Sequence, residues 1–199
     1  LHQNEDGLLI INYDNEITRE FKKDADGKVI YFSHKEVLNN GVSFDESDRT
    51  IKLCNNGVRK HLIMQKNMKL RGEHNCENAC AAIAATLELA PEDVIIDTIK
   101  NFGGVTHRLE FVRKINGIDW YNDSIGTSPT RTIAGLNSFD EKIVLIAGGY
   151  DKHLDYTPIA EPIVKNVSKL ILMGATKKKK KKAVRDELEK ENKTMPIYN

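Results

Sequence analysis

The chain has 199 residues, 40% of them apolar and 30% charged, which is enough for one or two globular domains. Its formal charge of +1 creates no long-range field to favour a nucleic acid or an anionic membrane surface, and it contains neither a signal peptide nor an apolar run near the spanning length. Three cysteines, Cys54, Cys76 and Cys80, are an odd count with no disulfide framework and suit a reducing cytoplasm.

In chain order, residues 8–13 and 28–33 read as strands, with a short helix between Asp14 and Lys23. Residues 49–54 and 58–64 alternate and flank Asn55-Asn56-Gly57, which predicts a hairpin because Asn and Gly tolerate positive φ. From His74 to Ala90 the pattern turns helical and Ala-rich, and Pro91 opens a second helix that runs to Asn101. Cys76 and Cys80 share a helix face; with His74 they could ligate a metal, but in this setting they read as small apolar fillers. Phe102-Gly103-Gly104 breaks the chain and predicts a domain boundary, dividing it into 1–104 and 105–199.

Beyond the break, strands are expected at 117–122, 142–147, 168–173 and 196–198, and helices at 129–138, 157–166 and 178–191. That alternation predicts βαβ units on a parallel sheet. Lys177 to Lys182 is a run of six lysines opening a helix, expected as a solvated face. The chain opens on Leu1 and stops at Ile197-Tyr-Asn, where a strand begins, so both ends read as cut from a longer polypeptide.

Three polar clusters follow apolar runs: Phe102 to Glu110, Trp120 to Thr127 and Ala147 to Lys152. Ligands in open α/β sheets bind where strands end, so these clusters are expected to share a substrate site. Ser128-Pro129 predicts a helix start whose free N–H groups, beside Ser124 and Thr127, suit an anion. If the two preceding strands are neighbours, Lys152 reaches Thr127, and together they could hold a carboxylate. Asn75 and Asn78 lie three apart on one helix face, where two amides could read a nucleobase edge. Arg108 could reach a phosphate, oriented by Glu110. Neither a Gly-x-x-x-x-Gly-Lys-Ser/Thr phosphate loop nor a Gly-x-Gly-x-x-Gly fingerprint occurs in the chain.

Taken together, Gly72-Glu-His74-Asn75-Cys-Glu-Asn78, Phe102-x-Gly-x-x-His107-Arg108-Leu-Glu110, Asn122-Asp123-Ser124-x-x-Thr127 and Gly148-Gly-x-x-Lys152 resemble, in order and spacing, the Mur ligases. Within that family the Asn-Asp-Ser-x-x-Thr form is similar to the D-glutamate-adding branch. The resemblance implies an α/β chain: the end of a central ATPase domain with a mixed sheet plus helices, then a Rossmann-like parallel α/β C-terminal domain. It further implies a cytoplasmic, monomeric ligase of peptidoglycan synthesis that uses ATP and Mg2+, whose partners are UDP-N-acetylmuramoyl-L-alanine and D-glutamate. By position, Asn75 and Asn78 would contact adenine, Arg108 the phosphates or ribose, Asp123 the ribose, and Thr127 and Lys152 the incoming D-glutamate. The magnesium ligands and phosphate loop of the family lie upstream of this segment, so the 199 residues alone are expected to be inactive, and no residue here is assigned as catalytic or metal-binding. Ile125 stands where the family usually has lysine. A related ligase with a different amino-acid acceptor, or a non-catalytic nucleotide-binding module, are the alternative readings.

Overall fold

The computed structural model describes residues 4–199 and divides into two compact units, one ending at Gly103 and the other beginning at Gly104. Leu1, included in the sequence-based domain assignment, lies outside the described residues.

In the first unit a five-stranded sheet runs in order from β1 (Leu8–Asn12) through β2 (Lys28–Ser33), β3 (Gly41–Asp45) and β4 (Thr50–Asn55) to β5 (Val58–Met64). β1, β2 and β3 are parallel, whereas β3–β4 and β4–β5 are antiparallel, so the sheet is mixed. The expected helix between the first two strands is present as α1 (Glu16–Arg19) followed by a 3₁₀ turn over Glu20–Asp24. The hairpin at Asn55-Asn56-Gly57 forms with Asn56 at φ 49 and Gly57 at φ 79, the two left-handed residues that a twist-matched two-residue turn requires.

Two helices complete this unit: α2 (Glu73–Thr86), ending one turn earlier than its Ala-rich pattern suggested, and α3 (Glu92–Asn101), entered through Pro91. α2 buries Cys76, Ala79, Cys80, Ile83 and Ala84 against Val42, Phe44 and Ile51 of the sheet. Cys76 and Cys80 are fully buried members of this core, and burial pushes the Cys76 thiol up to about 12 and that of Cys80 higher still. β3 was not foreseen: Val42-Ser43-Phe44-Asp45 alternates, but over five residues with only two large apolar positions, and Ser43 is buried along with them.

The second unit opens with a hairpin, β6 (Glu110–Ile115) and β7 (Ile118–Asn122), joined at Asn116-Gly117. After α4 (Pro129–Leu136) come β8 (Ile143–Ala147), a 3₁₀ turn over Thr157–Ile159 running into α5 (Ala160–Asn166), β9 (Val167–Leu172), α6 (Lys177–Lys190) and β10 (Ile197–Tyr198). β8, β9 and β10 form a parallel sheet in the order β10-β9-β8. The strand expected at 117–122 therefore exists but belongs to the antiparallel hairpin, not to the parallel sheet. Ile159, Ile163, Val167, Leu170, Leu172 and Val184 make the core between sheet and helices. Among the described residues no helix is long and apolar enough to cross a membrane.

Candidate functional site

Gly72, at φ 89, precedes α2 and supplies no capping side chain. Asn75 curls back instead, its Nδ2 donating to the Arg71 carbonyl at 2.7 Å, and Asn78 Nδ2 donates to Asn75 Oδ1 at 3.3 Å. The two amides thus share one face near the helix start, opposite the buried Cys and Ala residues, because three-residue spacing places them together.

Nearby in the same unit, Asp14 follows β1, His34 follows β2 and Glu77 projects from α2, and one ligand atom of each lies within 4.8 Å of the others. Asp14 already accepts Ser33 Oγ at 2.6 Å and the His34 N–H at 2.8 Å, and Glu77 accepts Asn12 Nδ2 at 2.6 Å. Magnesium favours an octahedron of oxygens, so one imidazole and two committed carboxylates suit it poorly. Glu77 ties the end of β1 to α2 through Asn12, and Asp14 ties the end of β1 to the end of β2.

In the second unit, residues 105–110 form a tight, self-wired turn. His107 and Leu109 take positive φ of 66 and 46, a conformation that carries strain in a side chain as bulky as leucine. Glu110 accepts the His107 N–H at 2.8 Å and faces the His107 ring at 3.8 Å, while Asn122 Nδ2 lies 2.8 Å from His107 Nδ1. The expected orientation of Arg108 by Glu110 is therefore corrected: the carboxylate serves the His107 backbone and ring, and Arg108 is exposed. Asp123 Oδ1 accepts the Leu109 N–H at 3.0 Å, tying this turn to the end of β7. That contact, bridging 14 residues of sequence, carries no local signal.

Ser128 caps α4 through its Oγ, which accepts the Arg131 N–H at 3.4 Å, and Pro129 takes the first helical turn as its sequence predicts. Lys152 Nζ donates to Thr127 Oγ1 at 3.2 Å, beside that helix start. The two meet although β7 and β8 belong to different sheets, so the adjacency that was expected to join them is replaced by loop geometry.

The loop bearing Lys152 presses on the next one in the sheet. A Cβ at Gly148 would stand 2.5 Å from the Met173 carbonyl oxygen, and one at Gly174 would stand 3.0 Å from Gly149 backbone atoms. The lysine run departs from its expected solvated face at Lys180, and exposed Lys179 is paired. Lys180 is buried, donates to the Gly148 carbonyl at 3.1 Å and sits 5.0 Å from the Tyr156 ring centroid, and Lys179 lies 2.6 Å from Asp151. Burial lowers the Lys180 pKa, and the Lys179 hydrogen bond lowers that of Asp151.

Two family models match the chain: Mur ligase middle domain over residues 1–86, and Mur ligase, glutamate ligase domain, over residues 107–198. A UDP-N-acetylmuramoylalanine--D-glutamate ligase of Acetivibrio thermocellus is 44% identical over 98% of the chain, which spans only 42% of that relative's length. Among solved structures, UDP-N-acetylmuramoylalanyl-D-glutamyl-2,6-diaminopimelate--D-alanyl-D-alanyl ligase from Acinetobacter baumannii superposes with a TM-score of 0.66 at 18% identity, covering 98% of this chain and 43% of that one. Folylpolyglutamate synthase of Mycobacterium tuberculosis, complexed with ADP and AMPPCP, gives 0.61 at 14% identity, covering 96% and 46%. Both share the α/β fold of this chain.

Proposed function

Because the chain belongs to the Mur ligase family, we propose that it is a segment of an ATP-dependent ligase joining D-glutamate to UDP-N-acetylmuramoyl-L-alanine in peptidoglycan synthesis. The observation that carries this reading is the Lys152–Thr127 contact at the start of α4: an ammonium and a hydroxyl beside the positive end of a helix suit the carboxylate of an incoming amino acid. The 44% identity to a D-glutamate ligase supports D-glutamate as that amino acid.

In this reading the alanyl carboxylate of the substrate attacks the γ-phosphorus of ATP and ADP leaves. The D-glutamate amine then attacks the acyl phosphate, and the tetrahedral intermediate collapses with loss of phosphate. Asn75 and Asn78 read the adenine edge, Arg108 approaches the phosphates or ribose, and Asp123 the ribose. Asp123 also holds the Leu109 turn, so its two duties are coupled. Thr127 and Lys152 fix D-glutamate so that its amine is aimed, which is positioning rather than bond-making. Magnesium would neutralise charge on the ATP phosphates, held by residues of the whole ligase upstream of this segment.

Three unpaired cysteines suit a cytoplasmic location, and the whole ligase is read as a monomer. The 199 residues by themselves are expected not to turn over, since the relative is more than twice as long.

The test is phosphate release by the full-length protein given ATP, magnesium and UDP-N-acetylmuramoyl-L-alanine, with D-glutamate, L-glutamate, L-lysine and diaminopimelate supplied in turn. Release that depends on D-glutamate is expected, and would show that Ile125 is tolerated. Release with another amino acid moves the specificity, and release with none overturns the ligase reading.

A further inference from the structure

The loop from Gly148 to His153 has no helix or strand of its own, yet it must hold Lys152 at Thr127. Its support comes from one direction, the beginning of α6. Lys180 donates to the Gly148 carbonyl at 3.1 Å, the Ala175 N–H donates to the Gly149 carbonyl at 3.2 Å, and Lys179 pairs with Asp151 at 2.6 Å. The fixed points fall on residues 148, 149 and 151, and the next residue is Lys152. Resting on the ligase reading above, we propose that Lys179 and Lys180 are positioning residues for the amino-acid site, clamping the Gly148–His153 loop so that Lys152 stands at Thr127.

The energetics separate these two lysines from the rest of the run. Lys177, Lys178, Lys179 and Lys182 are exposed and Lys181 is half-buried, so Lys179 stands apart by its ion pair with Asp151 and Lys180 by its burial. Lys180 is 9% exposed, and the contacts of its ammonium are a carbonyl and a ring face, without a carboxylate. Desolvating a cation without a counterion disfavours the folded state, so this lysine is not explained by stability. Nor does α6 stabilise its own start: Thr176 makes no capping hydrogen bond, and its buried Oγ1 has no partner. The helix start and the loop are held by each other, and the glycines at 148 and 174 let them approach that closely. None of the two lysines reaches Thr127 or the substrate position in these contacts, so they act through Lys152.

The test uses the full-length ligase with Lys179→Ala, Lys179→Arg, Lys180→Met and the exposed Lys178→Ala. Two readouts are taken: steady-state KM for D-glutamate against KM for ATP, and hydrogen exchange of the peptide covering residues 148–153. Lys179→Ala is expected to raise the D-glutamate KM roughly three- to fivefold, as for a half-exposed ion pair, with Lys179→Arg restoring it. Lys180→Met is expected to raise it roughly tenfold, the loss of a charge-assisted hydrogen bond. ATP KM stays unchanged in all of them, Lys178→Ala behaves as the unsubstituted enzyme, and loop exchange accelerates in the first and third variants. Should Lys180→Met fail to fold, the Lys179 pair decides. Unchanged loop exchange overturns the clamp, and faster exchange with an unchanged D-glutamate KM overturns its positioning role. If the unsubstituted protein releases phosphate with no amino acid, the ligase reading falls, while loop exchange still decides whether the clamp exists.

Discussion

Lys152 and Thr127 are both exposed, and a 3.2 Å hydrogen bond joins them. An exposed ammonium binding a carboxylate contributes less than a desolvated one, so Lys152→Ala should lower kcat/KM for D-glutamate by about 1–2 kcal/mol, roughly tenfold. Steady-state kinetics with saturating ATP would read this, and unchanged D-glutamate kinetics would remove Lys152 from the site. A different balance holds at Lys52, which is 5% exposed and pairs at 2.7 Å with both Asp45 and Asp48. Its hydrogen bond, then those of Ser47, hold the Asp45 carboxyl far below the usual carboxylate range. Burial pulls the Lys52 pKa down, but its bonds to the two carboxylates outweigh that and leave it raised. Because the folded Asp45 pKa is depressed, its stabilisation is fully present above the ordinary carboxylate pKa and is lost as pH falls towards the folded value. Lys52→Met should therefore destabilise by about 1–3 kcal/mol at neutral pH, by leaving the partly buried Asp45 carboxylate without its ammonium partner. Urea midpoints should show a smaller loss at about pH 3, where the unpaired Asp45 takes up a proton and the native partnership is already weakening. A pH-independent difference would refute the assignment.

At the level of elements, α2 does two jobs: one face completes the core through Cys76, Cys80 and Ile83, and the other carries Asn75 and Asn78. Both were legible in the sequence, because three- and four-residue spacing fixes which side chains share a face. The start of α4 was equally legible from Ser128-Pro129, and the β4–β5 hairpin from Asn55-Asn56-Gly57. Other elements were not. β3 offers only a short alternation with two large apolar residues, Val42 and Phe44, and β6 was missed although Asn116-Gly117, at φ 49 and 81, carries the same turn signal as the hairpin that was found. A run of identical lysines gives no sign of which one turns inward, so the burial of Lys180 needed the sheet behind it. The crossing of the β8 and β9 loops was also invisible in sequence, and it makes a prediction. Gly148→Ala places its Cβ against the Met173 carbonyl, a backbone atom that cannot yield cheaply. That substitution should cost about 1–3 kcal/mol in stability and raise the D-glutamate KM while leaving the ATP KM unchanged, as kinetics and a thermal melt would show.

Across the molecule the two units differ in what supports them. The first has a five-stranded mixed sheet and two helices on a single core; the second has a three-stranded parallel sheet and a separate hairpin. The Mur ligase motifs are spread over both, which is why four short patterns sufficed to identify the family while their geometry stayed hidden. The mixed sheet and the following parallel α/β layout agree with the expected fold class, and the similar solved structures share that fold.

Cys54, Cys76 and Cys80 are all buried in the first unit, and the second unit contains no cysteine. With thiols held protonated by burial, the native chain should be inert to alkylating reagents, because the thiolate is the reactive form. The rate at which a maleimide or iodoacetamide labels the protein then becomes a clock for opening of the first unit alone. Melting confined to the second unit should leave the label count at zero, whereas loosening of the first should expose the thiols, giving a mass-spectrometric readout of which half of the molecule fails first under heat or denaturant.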